Sequence, residues 1–582
     1  MKKTIILLTI ILLTMSASAQ SWQWANRMGS VFQSGTFGDN EQVAGVGTDN
    51  AGNIYIAGKV MGFPTFGVTS FTSHGQYYQG FLAKYDCSGS LIWVQLLLNN
   101  QGGDKVTGLA VDGAGNCYLN GFAAGDTTYF GNTQYTFGNS PGWFIAKYDS
   151  SGAVQWHIFT QTSPSALTEG GPVIGINSQG NIIAAGWNDY PGTIFSGINL
   201  RKGNFIAAFN PVTGNCLWGT NIDTVAVNSN ARYLQILSMK LGTDDDIYFT
   251  GWIHGNVQVG NYTLSGGINQ HGFILKYNSN GNLIWAKQDY GASAATTLFS
   301  LALTNNSIFV IGTAWRNDTI FNYRITFAGS QIQTNFILKL DTSANLIWGI
   351  PEDSVNGVYS GPFPALTVDN NGNLFCTSGF GSRLKWGTIY PSISSNPSNG
   401  VNPYLLKLNS SGQVSSLMNI PSYSTSGNPF DGGEGISINS LGDVYVGGAF
   451  SQKLWTTAGD TVYNSGGNVD LFLVKYGAIC SNVGIDESPM VEKQKETEGI
   501  NLIAYPNPNN GQFDIIINSS FQISGMLVLI NSIGQEVAKE SVNITNGSSK
   551  LSVNLLNLPS GIYDIELQTE KEVVHKKVSI VR

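Results

Sequence analysis

The chain has 582 residues, 71 of them glycine, with 42% hydrophobic residues, only 11% charged residues and a formal net charge of -8. That length holds a large core and more than one domain, and a chain so short of helix-forming Leu/Glu/Lys stretches reads as turn-rich and all-β. Mild acidity with so few cations excludes a phosphate-neutralising basic face, so nucleic acid is not an expected partner.

Residues 1–19 carry Lys2 and Lys3, the apolar run "TIILLTIILLTM" and the small-residue stretch Ala17-Ser18-Ala19. This is the pattern of a cleaved signal peptide. The run is too short to span a bilayer, and no later stretch supplies the ~20 apolar residues a transmembrane helix needs. "SWQWANRMGS" (21–30) follows, with two tryptophans ahead of any repeat.

From about 43 to 477 one pattern recurs. A block beginning at an aromatic residue starts at Phe81, Phe144, Phe205, Phe273, Phe336, Tyr404 and Phe472, as in "FLAKYD" and "FILKYN". Ahead of it lies a second block, such as "VGTDNAGNIYIAG" or "ISINSLGDVYVGG", and after the first five comes a third, such as "GNLIWAK". In the sixth copy, "GQVSSLM", Ser416 stands where tryptophan is expected. Each unit thus offers about four strands of period-2 alternation between Gly/Asn/Asp/Ser turns. The Asp and Asn of "D-x-x-G-N" and "D-x-S-G-x" fit turns in which the side chain binds the turn backbone and Gly takes positive φ. They are too few per loop for a calcium ligand set.

Four-stranded units in tandem predict an all-β, seven-bladed β-propeller over 20–480, monomeric, with landmark tryptophans 62 to 69 residues apart. The seventh unit ends at "FLVKYGAI" without a fourth strand, while "SWQWANRMG" matches "GNLIWAKQDYG", Trp24 on Trp285. The N-terminal strand is therefore expected to complete the last blade and leave no open edge. The blocks resemble the SBBP-type beta-propeller repeat of bacterial surface proteins, a resemblance that implies a fold and leaves function open.

No catalytic or cofactor motif emerges: the five histidines lack metal-ligand spacing, no nucleophile elbow or phosphate loop is present, and "GTDDDI" (242–247) falls on a turn. Neither a metal nor a cofactor is expected. Loops on a rigid scaffold are the place for recognition. The segments between the second and third strands carry Trp187, Tyr190, Trp252, His254, Trp315, Arg316, Phe380, Arg383 and Trp386, aromatics beside polar groups that suit a sugar ring or a protein anchor. The expected function is a surface binding or adhesion module with a glycan or protein ligand. A polysaccharide hydrolase or lyase on the same face, or a structural surface component, are the alternatives. Cys87, Cys117, Cys216, Cys376 and Cys480 show no framework spacing and read as isolated structural cysteines.

Residues 481–501, including "DESPMVEKQKETE", form a charged linker. Residues 502–582 return to alternating strands with Asn-Gly and Ser-Gly turns, the makings of a small β-sandwich. "YPNP" (Tyr505, Pro506, Asn507, Pro508), "SIGQEV" with Gly534, "LPSGIYDIEL" with Gly561 and Tyr563, and the basic end "HKKVSIVR" resemble the type A C-terminal sorting domain of the type IX secretion system. That resemblance implies a Bacteroidetes-type bacterium, the type IX machinery as a partner, and secretion or attachment at the outer-membrane surface.

Overall fold

The computed structural model describes residues 20–31, 41–67, 69–71, 78–99, 103–123, 127–131, 133–136, 142–159, 173–188, 193–195, 198–223, 233–289, 295–315, 318–325, 333–352, 364–380, 384–390, 401–423, 431–456, 459–480, 500–505, 511–519, 522–531, 535–544, 547–555, 557–559, 561–569 and 573–580. The leader and residues 481–499 of the charged linker lie outside them, while Ile500 and Asn501 already belong to the strand Ile500–Tyr505. The chain divides into two compact units, Met1–Cys480 and Ser481–Arg582. All described regular structure is strand.

In the first unit the sequence blocks become antiparallel sheets. The first pairs Gln42–Thr48, Ile54–Met61, Tyr78–Tyr85 and Leu91–Asn99 in chain order. The same order recurs in the sheets that begin at Lys105, Val173, Tyr233, Thr296 and Ala365. In the last sheet Gly432–Ile438, Val444–Phe450 and Asp470–Gly477 come from the C-terminal side, and the fourth strand is Ser21–Gly29. Met28 and Gly29 pair in turn with Phe66 and Thr65 of the first repeat. The innermost strands lie side by side in chain order, and Gly432–Ile438 packs against Gln42–Thr48.

Period-2 alternation was expected along every strand, but the middle strands Ile54–Met61, Cys117–Ala123, Leu374–Phe380 and Val444–Phe450 are buried at every position. Both faces of each sheet lie against a neighbouring sheet, so both must be apolar or small.

The glycine that closes several of the second blocks has a steric cause. Inner strands carry a β-bulge between Val43 and Gly45, Val106 and Gly108, Ile236 and Ser238, and Gly433 and Gly435. There a carbonyl of the inner strand is driven over the partner glycine. A Cβ at Gly58, Gly121, Gly251 or Gly448 would sit 2.1, 1.9, 1.8 or 2.0 Å from that oxygen.

The landmark tryptophans join sheet to sheet. Nε1 of Trp93 donates to the Ser150 carbonyl (3.2 Å) and Nε1 of Trp156 to the Pro211 carbonyl (3.1 Å), each in the turn between the third and fourth strands of the next sheet. The turn glycines lie under the rings: a Cβ on Gly152 would be 3.0 Å from Trp93, on Gly214 2.9 Å from Trp156, on Gly281 2.4 Å from Trp218 and on Gly412 2.7 Å from Trp348. Gly152, Gly214, Gly281 and Gly412 also hold positive φ, the reason glycine occupies the turns. Trp24 repeats the contact across the chain ends, donating to the Cys87 carbonyl at 3.0 Å with its ring over Gly89. Ser416 is explained by the same geometry. A tryptophan there would dock on the turn between the third and fourth strands of the last sheet, and that sheet has no such turn because its fourth strand arrives from the N-terminus.

The turn acids act as the sequence suggested. Asp49 Oδ1 accepts from the Ala51 and Asn53 amides, and Oδ2 from Asn53 Nδ2 and the Tyr55 hydroxyl. In the 242–247 turn, Asp246 is paired with Lys276 at 2.7 Å and Asp245 accepts from the Ser178 amide of the preceding sheet, also at 2.7 Å.

The reading of isolated cysteines is corrected in part. Cys87 and Cys480 form a disulfide across 393 residues, Cα to Cα 6.0 Å, while Cys117, Cys216 and Cys376 remain thiols. The pair has no spacing signature because it joins the two ends of the domain.

In the second unit, a sheet of Ile500–Tyr505, Gln512–Ser519 and Gly547–Asn554 and a sheet of Ile523–Asn531, Glu536–Ile544, Gly561–Thr569 and Val573–Ile580 share one core, including Phe513, Ile515, Leu527, Ile565 and Leu567.

Because Trp24 is buried, joins two sheets and donates a hydrogen bond, Trp24→Ala should cost about 3–5 kcal/mol, read as a lower denaturation midpoint. An unchanged midpoint would mean that the N-terminal strand adds nothing to the sheet.

Candidate binding face and its buried carboxyls

Three consecutive sheets place an aromatic residue at the same end of their second strand. Trp187 lies near the end of Ile182–Asn188, paired with Asn204 and half-buried. Trp252 and His254 lie on Ile247–Val259 two positions apart, hence on one face, and both are half-buried. Trp315 ends Ser307–Trp315, 45% exposed, its amide held by the Ala295 carbonyl at 3.1 Å. The inner strands of these three sheets are neighbours. Tyr190, Arg316 and Arg383 lie outside the described residues.

Phe380 and Trp386 require correction. They are 2% and 0% exposed and belong to a core with Leu384, Cys376 and Tyr404. Residues 384–390 fold back so that Trp386 bridges Glu352 and Ile389. Phe380 and Trp386 therefore close the sheet and present no surface to a ligand.

Sequence reasoning missed a second feature of the same end. Every described connection from a fourth strand to the next inner strand carries a buried acid: Glu41, Asp104, Asp223, Asp289, Glu352 and Asp431. Each is anchored to a neighbouring strand or loop. Asp223 accepts from the amide and side chain of Asn204 (2.7 and 2.9 Å), Asp104 from Thr128 (2.9 Å), Glu352 from Asn335 (2.8 Å) and Asp431 from Ser451 (2.8 Å). Glu41 accepts from the Ser30 and Met61 amides. At Asp289 the partner is Nδ1 of His271, at 2.8 Å. An acid recurring just after the landmark strand (Asp223, Asp289, Glu352) or just before the next inner strand (Glu41, Asp104, Asp431) was the available signal, obscured by connections of unequal length.

Burial favours the neutral acid. It raises Asp223 to about 6, Glu352 and Asp431 to about 7, and Glu434, on the inner strand next to Val43, to about 8. Glu41 is raised well above the usual range by burial and by the Asp470 charge. Oε2 of Glu41, Oδ2 of Asp289 and Oδ1 of Asp431 have no hydrogen-bond partner among the described residues. His271 is shifted upward chiefly by its hydrogen bond to Asp289, and the Asp318 charge adds to this.

These shifts share one sign. An acid whose folded pKa is raised binds its proton in the native chain after the unfolded chain has lost it, so stability falls as pH rises from the ordinary carboxylate range through the folded value. The raised histidine contributes stability at low pH that is likewise lost on raising it. The melting temperature should therefore fall from about pH 4, the ordinary carboxylate range, to about pH 8, the highest of these folded values, with Glu352→Gln flattening the slope. A midpoint that rises over that interval would contradict the account.

In the second unit Tyr505 ends Ile500–Tyr505, Gly561 opens Gly561–Thr569, and Tyr563 is buried with its hydroxyl donating to the Pro559 carbonyl at 2.8 Å. Pro506, Asn507, Pro508 and Gly534 lie outside the described residues. Residues 503–581 match the secretion system C-terminal sorting domain.

The protein is exported by the type IX route and is secreted or held at the cell surface. Among the described residues no helix is long and apolar enough to cross a membrane. An uncharacterized WD repeat-containing protein of Acanthamoeba polyphaga mimivirus is 23% identical over 414 residues, which are 59% of this chain and 29% of that protein. The chain thus spans under a third of that relative. Among solved structures, BamB of Moraxella catarrhalis is 10% identical, covering 75% of this chain and 96% of its own, with a TM-score of 0.29. The endosialidase of phage phi92 is 11% identical, covering 95% and 87%, with a TM-score of 0.34. TM-scores of this size bear on neither fold nor activity, and the architecture rests on the strand pairings above.

Deleting 503–582 should abolish appearance of the first unit outside the cell while leaving it made, as judged by immunoblot of medium and cell fractions. Undiminished export would remove the tail from that role.

Proposed function

We propose that 20–480 is a seven-bladed β-propeller of the SBBP repeat type, closed by its N-terminal strand, and that it serves at the cell surface as a glycan-binding module. Residues 1–19 act as the signal peptide that starts export. Support for the ring comes from the pairing of Ser21–Gly29 with Asp470–Gly477 and the packing of the last inner strand on the first.

The observation that carries the binding role is the run of Trp187, Trp252 and Trp315 at one strand end of three neighbouring sheets, with Trp315 45% exposed. An exposed indole face matches a sugar ring, which offers C–H bonds on one side. The sorting tail brings this face to where polysaccharides are met.

A thermal-shift and calorimetric screen of the purified protein against neutral and acidic oligosaccharides tests the reading. A ligand at 100 times its Kd stabilises by about 2.7 kcal/mol. Trp315→Ala should weaken such binding tenfold or more with an unchanged midpoint in the free protein. Saturable binding indifferent to Trp187, Trp252 and Trp315 substitution would place the site elsewhere, and release of shortened sugars would make the protein an enzyme.

A further inference from the structure

The last sheet differs from the others because no backbone links its third strand to its fourth, although its fourth strand runs on through Glu41 to the inner strand of the first sheet, as the others do. Elsewhere a tight turn joins the third strand to the fourth. Here the last strand leaves the ring at Gly477, and the fourth strand enters from the N-terminus. Ser21–Gly29 is gripped on both sides. Its main chain pairs with Asp470–Gly477, Trp24 donates to the Cys87 carbonyl, and Asn26 Nδ2 donates to the Gly89 carbonyl at 2.7 Å. Arg27 pairs with Asp470 (2.9 Å) and reaches the Thr65 hydroxyl of the first repeat (2.6 Å). The disulfide lies at this joint, between the turn that receives Trp24 and the residue that follows the strand pairing with Ser21.

We propose that Cys87–Cys480 is a redox-labile clasp. It stands in for the missing turn between the third and fourth strands of the last sheet by holding the end of Asp470–Gly477 against the turn that receives Trp24, and its reduction releases the N-terminal strand from its slot without unfolding the other sheets. Nζ of Lys475, 1% exposed and paired with Asp443 at 3.0 Å, lies 3.8 Å from Cys480 Sγ. An adjacent ammonium stabilises a thiolate, so Cys480 is the better leaving group and Cys87, half-buried in an accessible turn, is the sulfur attacked.

The exchange balances with a dithiol as reductant. Its first thiolate bonds to Cys87 Sγ as the Cys87–Cys480 bond breaks and the electron pair leaves on Cys480. Its second thiolate then displaces Cys87, so the dithiol is oxidised to a cyclic or protein disulfide and both cysteines are reduced. Formation of the clasp runs the other way and needs the oxidising conditions of an exported protein.

Hydrogen exchange of the full chain, followed by mass spectrometry, tests the clasp in three arms: oxidised, reduced with dithiothreitol, and C87S/C480S. Peptides covering 21–29 and 470–477 should exchange at least tenfold faster in the second and third arms, with those covering 182–188 and 307–315 unchanged, and reoxidation should restore protection. No change at 21–29, or an equal rise in every sheet, would overturn the proposal. Brief treatment with glutathione followed by alkylation should leave glutathione on Cys87 and the alkyl group on Cys480. The reverse labelling would overturn the assigned direction of cleavage.

Discussion

An indole laid over a left-handed glycine is the contact on which the first unit is built. The turn glycine supplies the conformation and, by lacking a Cβ, the flat floor. The tryptophan of the preceding sheet covers it, and in the joints at Gly89, Gly152 and Pro211 its Nε1 binds a carbonyl of that turn. Lysines of the third strands add a second grip, with Lys84 and Lys147 reaching the same carbonyls of Ser150 and Pro211 at 2.9 Å. Each sheet therefore depends on its neighbour, and a row of such sheets has two unsatisfied ends unless they meet. Trp24 and Gly89 are those ends.

This dependence explains much of what the sequence displayed. Tryptophan, the turn glycine and the third-strand aromatic recur because most interfaces repeat the same stereochemistry, with Ala344 holding the positive φ in one turn, and the strand order follows from them. The exception at Ser416 was legible as a departure, and its cause needed the knowledge that the last sheet borrows its fourth strand. In the tail, the Tyr563 hydroxyl on the Pro559 carbonyl gives a structural reason for the tyrosine in "LPSGIYDIEL".

Other features were not legible because they depend on the third dimension alone. Cys87 and Cys480 are far apart in sequence and lie in unlike contexts. Phe380 and Trp386 share the aromatic-plus-cation look of surface residues, yet 384–390 folds back and turns them into core. The buried acids follow fourth strands through connections of unequal length, so no fixed spacing exposed them, and their role is to tie each crossing segment to the sheets beside it. Trp187, Trp252 and Trp315 could be chosen from sequence, but that they come from neighbouring sheets and share one strand end required the packing.

The most direct measurement is complementation of a domain that lacks its closing strand. Residues 30–480 would be purified and titrated with a fluorescent peptide of 21–29. The account predicts saturable binding, recovery of the melting midpoint toward that of the full domain, and loss of both effects with Trp24→Ala in the peptide. A 30–480 fragment that melts where the full domain does and ignores the peptide would show that the strand is ornamental and the sheets are held together by other means.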